Sequence, residues 1–234
     1  MQSRSVDEPV SLQALALASL GGDGVTMEPA MRLALDASFG SVDCWRADLK
    51  ALGQAGDGVA RWRLLAFDPH AGHLVNQRVG TEMPAPDRGV PLLALDLQTA
   101  DPEAGLAGID WAAVYRRYQD AVHAASEPFG AAHAAVAGAL LLDVRRAGVF
   151  EQARTMIPGA QWHDPSTVAA WAGELPRDRA LIVYCVYGHE VGRATALRLR
   201  AAGLNARYLG GGIDGWQAAG RPVVAKPGPK EANS

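Results

Sequence analysis

Ala180-Leu-Ile-Val-Tyr-Cys-Val-Tyr-Gly-His-Glu190 is the stretch that decides the fold of this chain. Leu181 to Tyr184 is a short apolar run of the kind that forms a strand buried on both faces. Cys185 ends that run and opens a short loop containing Gly188. A helical pattern follows at once, from Val191 to Ala202. Strand, cysteine, tight loop, helix: this order aims several backbone N–H groups and a positive helix end at one sulfur. Such surroundings lower a thiol pKa from about 8.5 into a range of roughly 3.5–7.5 and cradle an anion built on the sulfur. A free cysteine is also among the most buried residue types, so a purely structural thiol is the competing reading.

The same alternation extends on both sides. Leu140 to Val144 reads as a strand and Ala147 to Arg154 as a short helix. Pro165-Ser-Thr opens a helix through Trp171, with Asp164 or Ser166 as its cap. Ala206 to Leu209 reads as a further strand, Gly210-Gly-Gly212 as a turn, and Asp214 to Ala219 as a helix. Continuous apolar strands between helices indicate a parallel sheet with helices on both faces. Ligands of such sheets sit beyond the carboxyl ends of the strands, where Cys185 falls.

Upstream, Ile109 to Ala125 places Trp111, Val114, Tyr115, Tyr118 and Val122 at helical spacing. The composition changes at Glu127-Pro-Phe-Gly130, so residues 1–128 and 129–226 are expected to form two units, with 227–234 a fraying tail. The chain has 234 residues, an apolar fraction of 49% and a net charge of −3. That length and apolarity support packed cores, and the near-neutral charge argues against a nucleic-acid partner. The arginines between Arg193 and Arg200 are expected on the wet face of a helix. Two cysteines, Cys44 and Cys185, do not make a disulfide framework and suit a reducing compartment. Met1 to Pro9 lacks the apolar core of a signal peptide, and Leu12 to Leu20 is too short to span a bilayer. A soluble, cytoplasmic protein without membrane contact is expected.

Four ordered motifs in the second half resemble a rhodanese domain. They are Leu141-Leu-Asp-Val-Arg145, Ile157-Pro-Gly-Ala160, Val183-Tyr-Cys185 with Gly188, and Gly211-Gly-Ile-Asp-Gly-Trp216. The resemblance covers about Ala134 to Val224; Thr155-Met156 stand where the family usually has Gly-His. It implies an α/β fold and sulfurtransferase chemistry without a cofactor. Cys185 would take sulfane sulfur from a small donor, thiosulfate or a persulfide, and pass it to a thiol or cyanide. The backbone of Val186, Tyr187, Gly188, His189, Glu190 and Val191 would bind substrate and stabilise developing charge. Asp143 and Arg145 would be a supporting pair beneath the site. His189-Glu190 departs from the basic or hydroxyl residue of many thiosulfate-using members. The Glu190 carboxylate opposes anionic donors and thiolate formation, so thiosulfate is expected to be a poor donor. Arg193 could pair with Glu190 at helical spacing, and His189 is either a proton carrier or a solvated loop residue. Related phosphatases and arsenate reductases close a longer loop with an arginine; Val191 stands there in this chain. A noncatalytic scaffold and a thiol redox sensor remain the alternatives to an enzyme.

The first half resembles the C-terminal part of iron/manganese superoxide dismutases, an α+β unit. The resemblance rests on Phe39-Gly-Ser-Val-Asp43, Trp62, Asn76-Gln77 with Pro84, Pro91-Leu-Leu-Ala-Leu-Asp96, and Ile109-Asp-Trp111 with Arg117-Tyr118. That family holds its metal through three histidines and one aspartate. Asp96 is kept, but Thr99 and Ala100 replace the Glu-His that should follow, and residues 1 to 69 contain no histidine. One carboxylate cannot hold a redox metal at a four-ligand site, so no metal is expected. His70 and His73 fall in a Pro/Gly-bounded turn and read as surface residues. The unit could bind a protein partner that delivers or accepts sulfur, mediate a homodimer, or stabilise the chain. Cys44 is expected to be a buried structural thiol, with a relay of sulfur from Cys185 as the alternative, and Trp45, Trp62 and Trp111 to be core.

Overall fold

A computed structural model describes residues 11–54, 60–84, 88–98 and 102–227. Thr99, Ala100, the first ten residues and nearly all of the 227–234 tail lie outside the described residues. The first half begins with α1 (Leu12–Leu17), capped by the Ser11 side chain, which accepts from the Ala14 N–H. It continues with α2 (Pro29–Phe39) and α3 (Val42–Gln54). Three strands follow: β1 (Trp62–Asp68), β2 (His73–Val79) and β3 (Val90–Asp96). They form an antiparallel sheet in the order β2-β1-β3. α4 (Pro102–Ala107) leads to α5 (Trp111–Ser126), whose N-cap Asp110 accepts from the Ala113 N–H.

The second half is wound around a five-stranded sheet. Its elements are β4 (Gly130–Ala131), β5 (Leu140–Asp143), α6 (Ala147–Gln152), β6 (Thr155–Met156), β7 (Gln161–Trp162) and α7 (Val168–Trp171). Then come β8 (Leu181–Tyr184), α8 (Glu190–Ala201), β9 (Ala206–Leu209), α9 (Gly212–Ala218) and β10 (Val224–Ala225). The sheet order is β4-β9-β8-β5-β7, and every pair in it is parallel. Central β8 is buried at all four residues, as its unbroken apolar run predicts. Leu181 and Val183 face one core, with Leu142, Val168 and Leu199; Ile182 and Tyr184 face the other, with Leu141, Ile213 and Trp216. The period of two along β8 thus feeds both layers. The parallel sheet with both faces covered agrees with the sequence reading.

Helix α8 belongs to both halves. Ala196 and Leu199 pack into the parallel-sheet core, while Ala194 and Leu197 join the core of the first half. That first core holds Trp45 and Trp111 edge to face at 5.2 Å between ring centroids. Each indole N–H has a partner, Asn76 Oδ1 for Trp45 and the Gly24 carbonyl for Trp111, so burial leaves neither unsatisfied. Trp62 is buried in a smaller cluster beneath α1.

The arginines of α8 do not form a wet face, which corrects the sequence expectation. Arg198 donates to the Gly72 and Ala37 carbonyls at 2.9 and 3.1 Å and to Ser38 Oγ at 2.9 Å. Ala37 lies in the last turn of α2, where unpaired carbonyls favour a cation. Arg193 lies 4.1 Å over the Tyr208 ring and donates to Ser126 Oγ at 3.2 Å. Arg200 lies 3.8 Å over Phe129. Helical spacing marked these residues as one stripe; only packing shows that it is covered, Arg198 by the first half and Arg193 and Arg200 in part by the Tyr208 and Phe129 rings. Cys44 is corrected the other way. It is exposed on the first turn of α3, and its N–H donates to Ser41 Oγ. Among the described residues, no helix is long and apolar enough to cross a membrane.

Candidate active site

The Cys185 loop starts at the carboxyl end of β8 and closes on the N-terminus of α8, for which His189 is the N-cap. Gly188 has φ +72°, and a Cβ there would meet the Leu209 carbonyl oxygen at 2.7 Å and the Gly211 nitrogen at 2.8 Å. Both the left-handed backbone and the crowding demand glycine. Gly212, φ +59°, lies under the loop, where a Cβ would come within 2.4 Å of the Val186 oxygen. This close approach lets the first turn of α9 grip the loop. The Ile213 and Asp214 N–H groups donate to the Cys185 and Val186 carbonyls, both at 3.0 Å. With these carbonyls turned towards α9, the following N–H groups are left for the sulfur.

Four backbone N–H groups bear on Cys185: those of Gly192, Gly188, His189 and Tyr187. The sequence reading named the run Val186 to Val191; three of those residues, Tyr187, Gly188 and His189, bear on the sulfur, together with Gly192. A Cβ on residue 192 would lie 3.3 Å from Cys185 Sγ, so its absence lets α8 approach the sulfur closely. A small residue inside the first helical turn was the only sequence signal for it.

The thiol does not follow the expected shift. Cys185 is 6% exposed, and burial pushes its pKa up, against the lowering by the four amides. Desolvation of the thiolate outweighs the donors. The expectation of a thiol depressed below neutrality is corrected on this ground. A raised folded-state pKa favours the protonated thiol, so its contribution to stability is full below the unfolded pKa and is lost as pH rises through the folded one. Alkylation of Cys185 by iodoacetamide should therefore climb with pH and not level before about pH 8.5, the ordinary thiol range. A plateau below pH 7 would mean that the amides win.

Cys185 opens into a cleft of ≈ 230 Å³, lined also by Val186, Tyr187, His189, Glu190 and Val191. Arg145 and Arg146 also line it. Beneath them Asp143, fully buried, accepts from Arg145 Nε at 2.9 Å and from Tyr184 Oη at 2.9 Å. Arg145 also donates to the Thr155 carbonyl. The supporting pair is thus assembled from two residues of one turn. Its Tyr184 partner is pushed up in pKa by burial and by Asp143, and so stays a neutral donor.

Glu190 and Arg193 do not turn to each other as their spacing suggested. Glu190, 5% exposed, accepts from Tyr115 Oη at 2.5 Å and Gln119 Nε2 at 3.3 Å, both on α5. Arg193 instead donates to the Gly188 carbonyl at 2.9 Å, bracing the loop from behind. Burial, and then Glu190, push the Tyr115 phenol up, keeping it a hydrogen-bond donor. His189 is exposed, its ring 5.7 Å from Tyr187 and 6.2 Å from His123. Tyr115 also lines the cleft, with Glu28, Pro29 and Ala30 at the start of α2. No feature of the sequence pointed to these first-half residues.

Asp96, the carboxylate kept from the dismutase pattern, accepts from Arg61 Nη2 at 3.2 Å and from the Gln98 N–H at 2.8 Å. Among the described residues, no three His, Cys, Asp or Glu side chains come together as a metal site. A carboxylate paired with a guanidinium does not fit the place of a metal ligand. His70 and His73 lie at the β1–β2 turn, exposed and half-buried respectively.

The family described as Rhodanese-like domain matches residues 128–219. A sulfurtransferase of Allochromatium vinosum is 33% identical over 89 residues, which are 38% of this chain and 81% of that protein. An iron superoxide dismutase of Cupriavidus metallidurans is 40% identical over 76 residues, 32% of this chain. The match spans only 39% of that dismutase's length. Among solved structures, a full-length Lactobacillus plantarum protein is 27% identical with a TM-score of 0.39, covering 43% of this chain and 90% of its own. A rhodanese-related protein of Thermoplasma volcanium is also 27% identical, with a TM-score of 0.35 over 39% of this chain and 89% of its own.

Proposed function

The chain belongs to the rhodanese-like family through residues 128–219, and on that premise we propose that it is a sulfurtransferase carrying sulfane sulfur as a persulfide on Cys185. The observation that carries this reading is the set of four N–H groups converging on a sulfur at the floor of an open cleft. The Cys185 thiolate attacks the outer sulfur of a donor R–S–SH. The new S–S bond forms as the old one breaks, R–S⁻ leaves with the electron pair, and the proton stays on the transferred sulfur. A thiolate or cyanide then attacks that outer sulfur, and Cys185 leaves as thiolate. The N–H groups stabilise anionic sulfur in both steps.

The raised thiol pKa is compatible with this chemistry. A smaller fraction is ionised at neutral pH, and the stronger nucleophilicity of a more basic thiolate offsets part of that loss. The same features disfavour an oxidation sensor, which needs an exposed, acidic thiol. Glu190, inside the cleft, disfavours the thiosulfate dianion relative to a persulfide. We read residues 1–128 as a dismutase-like module without metal and 129–226 as the sulfurtransferase unit. Incubation with a persulfide donor should add one sulfur atom to the Cys185 peptide by mass spectrometry, and cyanide should remove it. An unchanged peptide after exposure to both thiosulfate and persulfide donors overturns the reading.

A further inference from the structure

The cleft over Cys185 is not built by the sulfurtransferase unit alone. Tyr115 of α5 and Glu28, Pro29 and Ala30 at the start of α2 line it together with the Cys185 loop. Glu28 is the N-cap residue of α2, yet its side chain makes no capping hydrogen bond. The carboxylate is therefore not committed to the helix. It lies close enough to Tyr115 to push the phenol's pKa up further, as Glu190 does. The cleft lining thus carries two carboxylates, Glu28 and Glu190, with the Tyr115 hydroxyl bonded to the second.

The same lining also carries Arg145 and Arg146. Arg145 is engaged by Asp143, so its charge is matched from within. Arg146, half-buried, supplies the uncompensated cation of the lining. A cleft lined by both signs beside a nucleophile complements a molecule that carries both charges and a sulfane sulfur. The volume, ≈ 230 Å³, lies below the roughly 300–1,000 Å³ typical of pockets for drug-sized ligands. It suits a ligand of amino-acid size.

Resting on the sulfurtransferase reading, we infer that the donor is a small zwitterionic hydropersulfide, an amino-acid persulfide, whose ammonium group is read by Glu28 of the dismutase-like half. Its carboxylate faces Arg146, and its outer sulfur is presented to Cys185. The transfer balances as before: the amino-acid thiolate leaves as the Cys185 S–S bond forms. On this inference the first half is a specificity wall of the active site, and Glu28 is the residue that selects among donors. Tyr115 is a positioning residue that acts through Glu190.

The test compares cysteine hydropersulfide with the hydropersulfide of 3-mercaptopropionate, which lacks the ammonium group, using the full chain. The wild type should favour the cysteine donor by about fivefold in kcat/KM, the upper end for an ion pair in contact with water. Glu28→Gln should erase that preference through KM, with kcat retained. Glu28 is exposed and makes no capping bond, so this variant should fold. As a second readout, Tyr115→Phe should change KM for both donors alike and leave their ratio unchanged. Equal use of the two donors by the wild type overturns the inference while leaving the sulfurtransferase reading intact. So does an unchanged ratio in Glu28→Gln. Failure of every donor to load Cys185 overturns both.

Discussion

Serine in place of Cys185 is expected to abolish sulfur loading and transfer, with turnover falling on the order of 10⁴-fold or more, as for other deletions of a covalent nucleophile. The fold should survive. The serine hydroxyl is close in shape to the thiol and meets the same N–H groups of Tyr187, Gly188, His189 and Gly192. Thermal or urea unfolding should move by no more than about 1 kcal/mol, within the ordinary range of single substitutions. What is lost is chemical. A hydroxyl is a weak nucleophile at its free pKa, and the groups that bear on the sulfur are backbone N–H groups, which donate and cannot take its proton. Cys44 supplies the control. It is exposed on α3 and presents its thiol to solvent, so a donor could label it without any catalysis. Cys44→Ser should keep full transfer activity. Retention of more than a tenth of the wild-type rate in Cys185→Ser would move the nucleophile elsewhere.

Alanine in place of Asp143 is expected to destabilise the protein by about 3–5 kcal/mol, the cost of leaving one partner of a buried ion pair uncompensated. Asp143 is fully buried and Arg145 is 5% exposed. The carboxylate accepts from Arg145 Nε with both oxygens, at 2.9 and 3.0 Å, and from Nη2. It also accepts from the Arg145 backbone N–H at 3.1 Å and from the Tyr184 hydroxyl at 2.9 Å. Its removal strands a guanidinium that keeps only the Thr155 carbonyl and the Phe150 face. It also leaves a buried phenol without its acceptor. Asp143→Asn should fall between the two, since the amide oxygen can still accept from Tyr184 while the cation stays uncompensated. Urea unfolding checks both. A loss below about 1 kcal/mol in Asp143→Ala would show that water or rearrangement satisfies Arg145. Sulfur loading should fall with stability, because Arg145 lines the same cleft as Cys185.

The parts of the site that could be read from the chain are those made by neighbours in sequence. Asp143 and Arg145 are two residues apart, and a turn is enough to bring them together. The order β8, Cys185, loop, α8 aims amides at the sulfur by connectivity alone. Gly188 declared a tight turn, and Gly211-Gly212 another, because glycine alone adopts those backbone angles without strain. What escaped is what depends on distant segments. Tyr115 meets Glu190 across 75 residues, and Glu28 reaches the cleft from farther still. Nothing in their local patterns distinguishes them from ordinary helix-surface residues.

Sequence alone determined the alternation of strands and helices, the parallel sheet and the position of the cysteine at its edge, because hydrophobic period and turn chemistry are properties of adjacent residues. Tertiary structure alone decided which surfaces are covered. It turned the arginine stripe of α8 inward, left Cys44 in water, and buried Cys185 deeply enough that desolvation outweighs its amides. Burial is a sum over every segment that packs against a group, and that sum exists only once the chain has closed on itself.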